Sequence, residues 1–437
     1  MRLSHWRIQE MESGADVLII GGGLAGLCCA LRLQQERLSF QVLEADNRIG
    51  GRIKTDTVDG FLLDHGFQVL LTAYPEAQRV LDYDALNLCS FYPGALIRYR
   101  NRFYRFADPW RHPMDGLRGI FAPIGSFTDK LRIGKLRRQA LAGSLEDIYN
   151  RPETTSLQAL RSIGFSEDMI DRFFRPFIGG VFFDPALGIS SRMLEFGFRF
   201  FSLGDTALPS AGMGAIPDQI AARLPAGRVR TEARVASIQE DGVTLMSGEK
   251  INAQAVVVAT DGPEAARLLG DKEKPGSRST SCIYYSADEP PVSGPVLILN
   301  GDGRGPVNSL CSPSSVAPDY APQGRSLISV TVLGNPDRND QQLEMSVRAQ
   351  LHEWFGPRVG NWRYLRAYRI PHALPLQIPP VSNPFSVSTQ IRPRLFICGE
   401  YRSAASIQWA MVTGRRAAEA VIGSRGTQTG SARETGR

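Results

Sequence analysis

With 437 residues, 43% of them hydrophobic, the chain can bury the cores of two or three domains, which excludes a disordered or fibrous protein. Its net charge of +6 is dispersed and mostly arginine, and no nucleic-acid motif accompanies it, so no nucleic-acid partner is expected. The longest uncharged apolar run, Val17 to Leu31, is shorter than the roughly 18 residues of a spanning helix and is broken by glycines, so no transmembrane segment is predicted.

The six cysteines (Cys28, Cys29, Cys89, Cys282, Cys311 and Cys398) form no C-x-x-C pair and read as buried thiols of a reducing, cytoplasmic setting. Five scattered histidines without H-x-x-x-H or H-E-x-x-H spacing give no reason to expect a metal.

In chain order, residues before Met11 read as a loose extension. Val17 to Ile20 is an apolar, β-branched run, the pattern of a strand buried on both faces, and Gly21, Gly23 and Gly26 follow at G-x-G-x-x-G spacing. Gly21 permits a tight turn, Gly23 lets a pyrophosphate approach the backbone, and Gly26 lets the helix beginning at Leu24 and Ala25 pack on the strand. The amino terminus of that helix points free N–H groups and a positive dipole end at the phosphates. A second strand, Phe40 to Leu43, ends in Glu44 and Ala45, roughly the twenty residues downstream at which a carboxylate reaches ribose hydroxyls. Strand, turn, helix and acid together indicate a dinucleotide site. Signal-peptide cleavage at the apolar run would destroy it, so that reading is rejected.

Gly50-Gly51-Arg52 comes next, then a strand Val58 to Leu63 and the run Asp64-His65-Gly66-Phe67-Gln68. From about Thr72 to Gly204 aromatic clusters stand among arginines: Phe173, Phe174 and Phe177, Phe182 and Phe183, and Phe196, Phe198, Phe200 and Phe201. They are candidates for a pocket lining or for ordinary core. Basic density peaks at Lys130 to Arg138, interleaved with Leu131, Ile133 and Leu136, which reads either as a solvated helix face or as a peripheral dock on an anionic membrane.

Pro209 to Pro217 (PSAGMGAIP) forms a glycine turn before a short helix, with strands at Val235 to Ile238 and Gly242 to Leu245. Ala255 to Thr260 (AVVVAT) again has the texture of a parallel strand. Residues from about Gly270 to Pro380 make a second excursion. Leu395 to Cys398 returns as a strand, followed by Gly399-Glu400 and a helix with apolar positions Ile407, Ala410, Met411, Gly414 and Ala417. The predicted fold is α/β: a doubly wound, Rossmann-like domain, discontinuous over 1–71, 205–269 and 385–423. An inserted α+β substrate-binding domain covers 72–204 and 270–384, and a polar tail, 424–437, is expected to be disordered.

These residues resemble the FAD-dependent amine oxidase, protoporphyrinogen oxidase and phytoene desaturase superfamily over roughly residues 15 to 70, 205 to 265 and 390 to 422. In that superfamily the dinucleotide motif runs into G-G-R, as at Gly50-Gly51-Arg52, with the arginine near pyrophosphate and flavin. The resemblance implies FAD as cofactor, with Gly66 and Phe67 counted among its ligands, Val235 beside the adenine and Glu400 on the ribityl-diphosphate. Ile407, Gln408 and Trp409 are expected under the flavin pyrimidine ring, where the helix dipole favours anionic reduced flavin. No cysteine stands in a context for covalent attachment, so non-covalent FAD is expected.

Departures from the amine oxidases point away from an amine. Lys250, Lys272 and Lys274 are the three lysines after Lys135, and none reads as buried at a flavin. The loop after Glu400 is short, no second cage aromatic is evident, and Trp409 stands where a glycine is usual. The leading expectation is an oxidase or dehydrogenase taking two electrons from a small apolar or amphipathic substrate such as a polyene or tetrapyrrole. Its alternatives are an amine oxidase, and a flavin-dependent isomerase or non-catalytic binder. His65 and His372 are candidate acid–base residues, with a structural role the competing reading for each.

Overall fold

The computed structural model describes residues 14–120 and 122–434; the expected amino-terminal extension before Met11 lies outside them. The apolar run Gly14–Ile20 is an inner strand of an eight-stranded sheet. Phe40–Leu43 lies parallel on one side, Ile20 opposite Leu43, and Lys250–Val258 lies parallel on the other, Ile20 opposite Val258. Val229–Arg230 continues the first side and Leu395–Ile397 the second, both in parallel. Val17, Leu18 and Ile19 are fully buried, which is why this strand reads as one continuous apolar run. Gly242–Leu245 and Val235–Ile238 pair antiparallel at the far end.

Because later strands flank the first one on both sides, the chain leaves it in opposite directions and a crevice opens at the carboxyl ends of the strands. Gly21, Glu44, Ala259 and Gly399 sit at those ends. The helices Leu24–Gln35 and Ile407–Glu434 pack together on one face, so closely that a Cβ on Gly414 would stand 2.0 Å from the Ala25 carbonyl oxygen. The second of these helices corrects one expectation: the polar segment predicted to be disordered after Gly423 continues as helix to Glu434, and 435–437 lie outside the described residues.

A second, seven-stranded sheet draws on both excursions. Its order is Arg363–Pro375, Ser277–Ala287, Ser326–Leu333, Val307–Cys311, Leu297–Asn300, Gly94–Tyr99 and Arg102–Ala107. Alternation along the strands splits its two faces. Ile283, Tyr285, Ile328 and Val330 pack toward the helix Asp340–Phe355, while Thr280, Cys282 and Tyr284 face the first sheet. Helices Phe127–Leu141, Ser156–Ile163, Arg175–Val181 and Ser191–Leu203, opened largely by Ser and Thr caps, stand over that inner face.

Candidate functional site

A cavity of about 860 Å³, within the usual range for ligand pockets, runs from the crevice of the first sheet to the inner face of the second. Its two ends differ in chemistry. Gly21, Gly23, Glu44, Ala45, Asp46, Val235, Asp261 and Arg267 line one; Phe177, Phe182, Phe183, Phe196, Phe201, Leu297 and Leu299 line the other.

Three glycines at the polar end are bare for different reasons. Gly21 has φ +111°, and a Cβ there would meet the Ala259 carbonyl oxygen at 2.8 Å. On Gly26 a Cβ would stand 1.9 Å from the Gly21 carbonyl oxygen, so helix and strand require that glycine. Gly23 is unlike both. Its φ of −76° suits any residue, and a Cβ would find nothing nearer than the Gly51 Cα at 4.0 Å. The protein itself makes no demand for glycine here. The space it leaves is cavity, at a helix amino terminus suited to an anion, and so the residues present fit a dinucleotide.

Glu44 is buried and fixed. One carboxylate oxygen accepts from the Gly22 N–H at 2.7 Å, the other from the Asp46 N–H at 2.9 Å. Between the ends, Arg52 pairs with Glu400, 348 positions away in sequence, and donates to the Ala373 carbonyl at 2.8 Å. Burial opposes the guanidinium charge, but the Glu400 carboxylate more than offsets it and raises the Arg52 pKa.

The carboxy-terminal helix presents Ile407 and Ala410 to the cavity and the turn before it Ala405 and Ser406, and Ser406 Oγ caps the helix by accepting from the Trp409 N–H at 3.2 Å. Gln408 and Trp409 correct the expectation that they meet the cofactor. Successive helix residues point about 100° apart, so Ile407 and Ala410 face the cavity while the next two turn away. Gln408 Oε1 accepts from the Glu76 N–H at 2.9 Å, and Trp409, 1% exposed, packs edge-on against Phe385 and Tyr149 at 5.1 and 6.0 Å.

Leu24, Ala25, Gly51, Gly66, Phe67, Val235 and Gly399 all line the cavity, and Gly26 serves packing behind it. His65, in the bend after the strand Phe61–Asp64, and His372, on the strand Arg363–Pro375, both reach it. His65 Nε2 lies 3.1 Å from both Asp56 and Arg48, and its ring rests on Tyr368 at 4.7 Å. Burial lowers its pKa, opposed by Asp56. His372 is exposed, with Nδ1 2.7 Å from Ser277 Oγ.

Of the sequence-flagged phenylalanines, Phe177, Phe182, Phe183, Phe196 and Phe201 line the cavity, whereas Phe173, Phe174, Phe198 and Phe200 belong to the core behind it. The sequence reading missed Thr280, Leu299, Ser309 and Thr331, whose only signal is strand alternation. It also missed Lys54, buried at the cavity wall and paired with Asp46. Asp64 was passed over too. It lies beneath His65, fully enclosed, and accepts from Thr55 Oγ1 at 2.6 Å, the Tyr320 hydroxyl at 2.8 Å and the Met213 N–H at 3.0 Å. Burial pushes its carboxyl up to about 6 against those hydrogen bonds.

Charge is confined to part of the wall. None of the lining residues contributed by segments 67–74, 176–201 and 280–331 is charged.

The family model for flavin containing amine oxidoreductases matches residues 24–422. Among curated relatives, the coproporphyrinogen III oxidase of Propionibacterium freudenreichii is 23% identical over 400 residues, covering 75% of this chain and 73% of that protein. Protoporphyrinogen oxidase 2 of Arabidopsis thaliana is 26% identical over 172 residues, covering 39% of this chain and 33% of that protein. In structure, the cyclohexylamine oxidase of Brevibacterium oxydans superposes with a TM-score of 0.68 at 18% identity, covering 95% of this chain and 99% of that one, a likeness of fold. With its buried Glu44 and Arg52–Glu400 pair inside the matched span, the chain belongs to the flavin containing amine oxidoreductase family.

Proposed function

We propose that this chain binds FAD non-covalently and oxidises a small apolar or amphipathic substrate, such as a tetrapyrrole or polyene, by two electrons. In this reading residues 1–71, 205–269 and 385–423 form a Rossmann-like FAD domain, and 72–204 with 270–384 form the substrate domain. The observation that carries it is the division of one cavity into a polar end, lined by the glycine turn and Glu44, and an uncharged, phenyl-lined end.

The flavin, when bound, supplies the two-electron acceptance. The chain's residues hold and orient. Gly21 to Gly23 and the helix amino terminus would take the pyrophosphate, Glu44 the ribose, and Val235 would flank the adenine. Arg52 and Glu400 keep a neutral pair of charges at the junction, and the helix start at Ser406 and Ile407 directs its positive end there. The phenyl side chains exclude water and offer no carboxylate to an ammonium, which disfavours an amine. The acid–base role falls to His65, whose ring is held by Asp56, and to His372, which lies beside Ser277.

The test is anaerobic mixing of the flavin-loaded protein with reduced tetrapyrroles, polyenes and alkylamines. Loss of oxidised-flavin absorbance is expected with an apolar reductant and not with amines. Bleaching by amines alone would overturn the reading.

A further inference from the structure

We propose that the helix Phe127–Leu141, with Trp110 lying against it, docks this protein on an anionic lipid bilayer. Phe127, Leu131, Gly134 and Arg138 follow one another at helical spacing and so form a stripe on one face. A Cβ on Gly134 would stand 3.5 Å from the Trp110 ring, which places the indole over that stripe, and the Arg137 guanidinium stacks on it at 4.8 Å. Glycine disfavours a helix interior. Here it makes room for the indole.

The opposite face is already satisfied, because Leu136 and Ala140 are fully buried toward the helix Ser191–Leu203, where Gln139 donates to Glu195 at 2.6 Å. Yet the outer stripe is apolar too: Trp110, Phe127 and Leu131 are 49%, 57% and 62% exposed, and Met114, four residues past Trp110, is 72% exposed. A solvated helix face has no use for such a group of rings and methyls.

Charge identifies the occupant. The helix carries five cations, and its one acid, Asp129, is buried and engaged with Ser126, Ser166 and Arg132. Lys135 and Arg138 flank the apolar stripe, exposed, with no ion pair among the described residues. Rings that can enter the acyl boundary beside cations that can reach lipid phosphates form the pattern of an interfacial helix. This surface lies one helix away from Phe196 and Phe201 of the cavity, but its test reads lipid binding, not turnover, so it stands apart from the substrate reading.

The experiment is co-sedimentation of the full-length protein with vesicles of phosphatidylcholine, with and without phosphatidylglycerol, at low and high salt. The wild type is expected to pellet with anionic vesicles at low salt and to be released by salt. Two double variants, Phe127→Ser with Leu131→Ser and Lys135→Ser with Arg138→Ser, are each expected to lower the partition on the order of tenfold, while thermal melts and cofactor content stay unchanged. Wild-type protein that remains in the supernatant with both vesicle types, or variants that pellet like the wild type, would overturn the proposal. So would a gel-filtration shift from dimer to monomer in the variants without any lipid binding, which would assign the face to a second copy of the chain.

Discussion

The two ends of the cavity are built on opposite principles. The polar end is assembled largely from one continuous stretch, residues 20 to 54, in which a strand, a turn, a helix and a second strand each place one group. The phenyl-lined end is assembled from segments 67–74, 176–201, 280, 297–309 and 331, which meet only because two excursions share one sheet. Local geometry fixes the first and tertiary packing the second. Recognition of the cofactor can therefore stay constant while recognition of the substrate is rebuilt, the general case for functions grafted on one fold.

The sharpest way to break this contrast is through the glycines. Gly26→Ala sets a methyl 1.9 Å from a carbonyl oxygen and is expected to abolish folded, flavin-bound protein, as read by soluble yield and circular dichroism. Gly23→Val points into open cavity and is expected to leave the fold intact while eliminating flavin. If the Gly23 variant were yellow, the cradle would not be where the dinucleotide lies.

Asp64 joins the two halves, since Thr55 and Met213 bind it from one side and Tyr320 and Tyr284 from the other. Its folded pKa of about 6 lies above the unfolded value of about 3.9, so its contribution to stability is present below that unfolded value and is lost as pH rises through 6. The linkage amounts to about 3 kcal/mol. Urea unfolding at stepped pH is expected to show this decline in the wild type and a flatter profile in Asp64→Asn. Equal slopes would remove Asp64 from the account.

Smaller effects separate the ends further. Glu44→Ala leaves the buried Gly22 N–H and the more open Asp46 N–H without their carboxylate acceptor and is expected to weaken flavin binding by about 2 kcal/mol, roughly thirtyfold, in a fluorescence titration. Phe201→Leu is expected to raise KM for the apolar substrate about tenfold with flavin affinity unaltered. A Phe201 variant that instead lost flavin would show that the two ends are not independent.

Legibility in the sequence follows the same division. Gly14–Ile20, Leu24–Gln35 and Phe40–Leu43 could be read because buried parallel strands and glycine turns carry their own local pattern. Glu400 was legible by its place at a strand end, but its pairing with Arg52 was not, because no local rule links residues 348 positions apart. Trp409 was misjudged for a rotational reason: one residue of helix moves a side chain about 100° around the axis, from cavity to core. Thr280, Ser309 and Thr331 were invisible because a polar residue on a strand does not announce which face of the sheet it occupies.

The most direct test of the central claim is the visible spectrum of the purified protein, taken before and after denaturation with the released cofactor identified. Oxidised-flavin bands are expected in the native protein, and free FAD in the supernatant once it is denatured. A protein that stays colourless after incubation with FAD would contradict that claim.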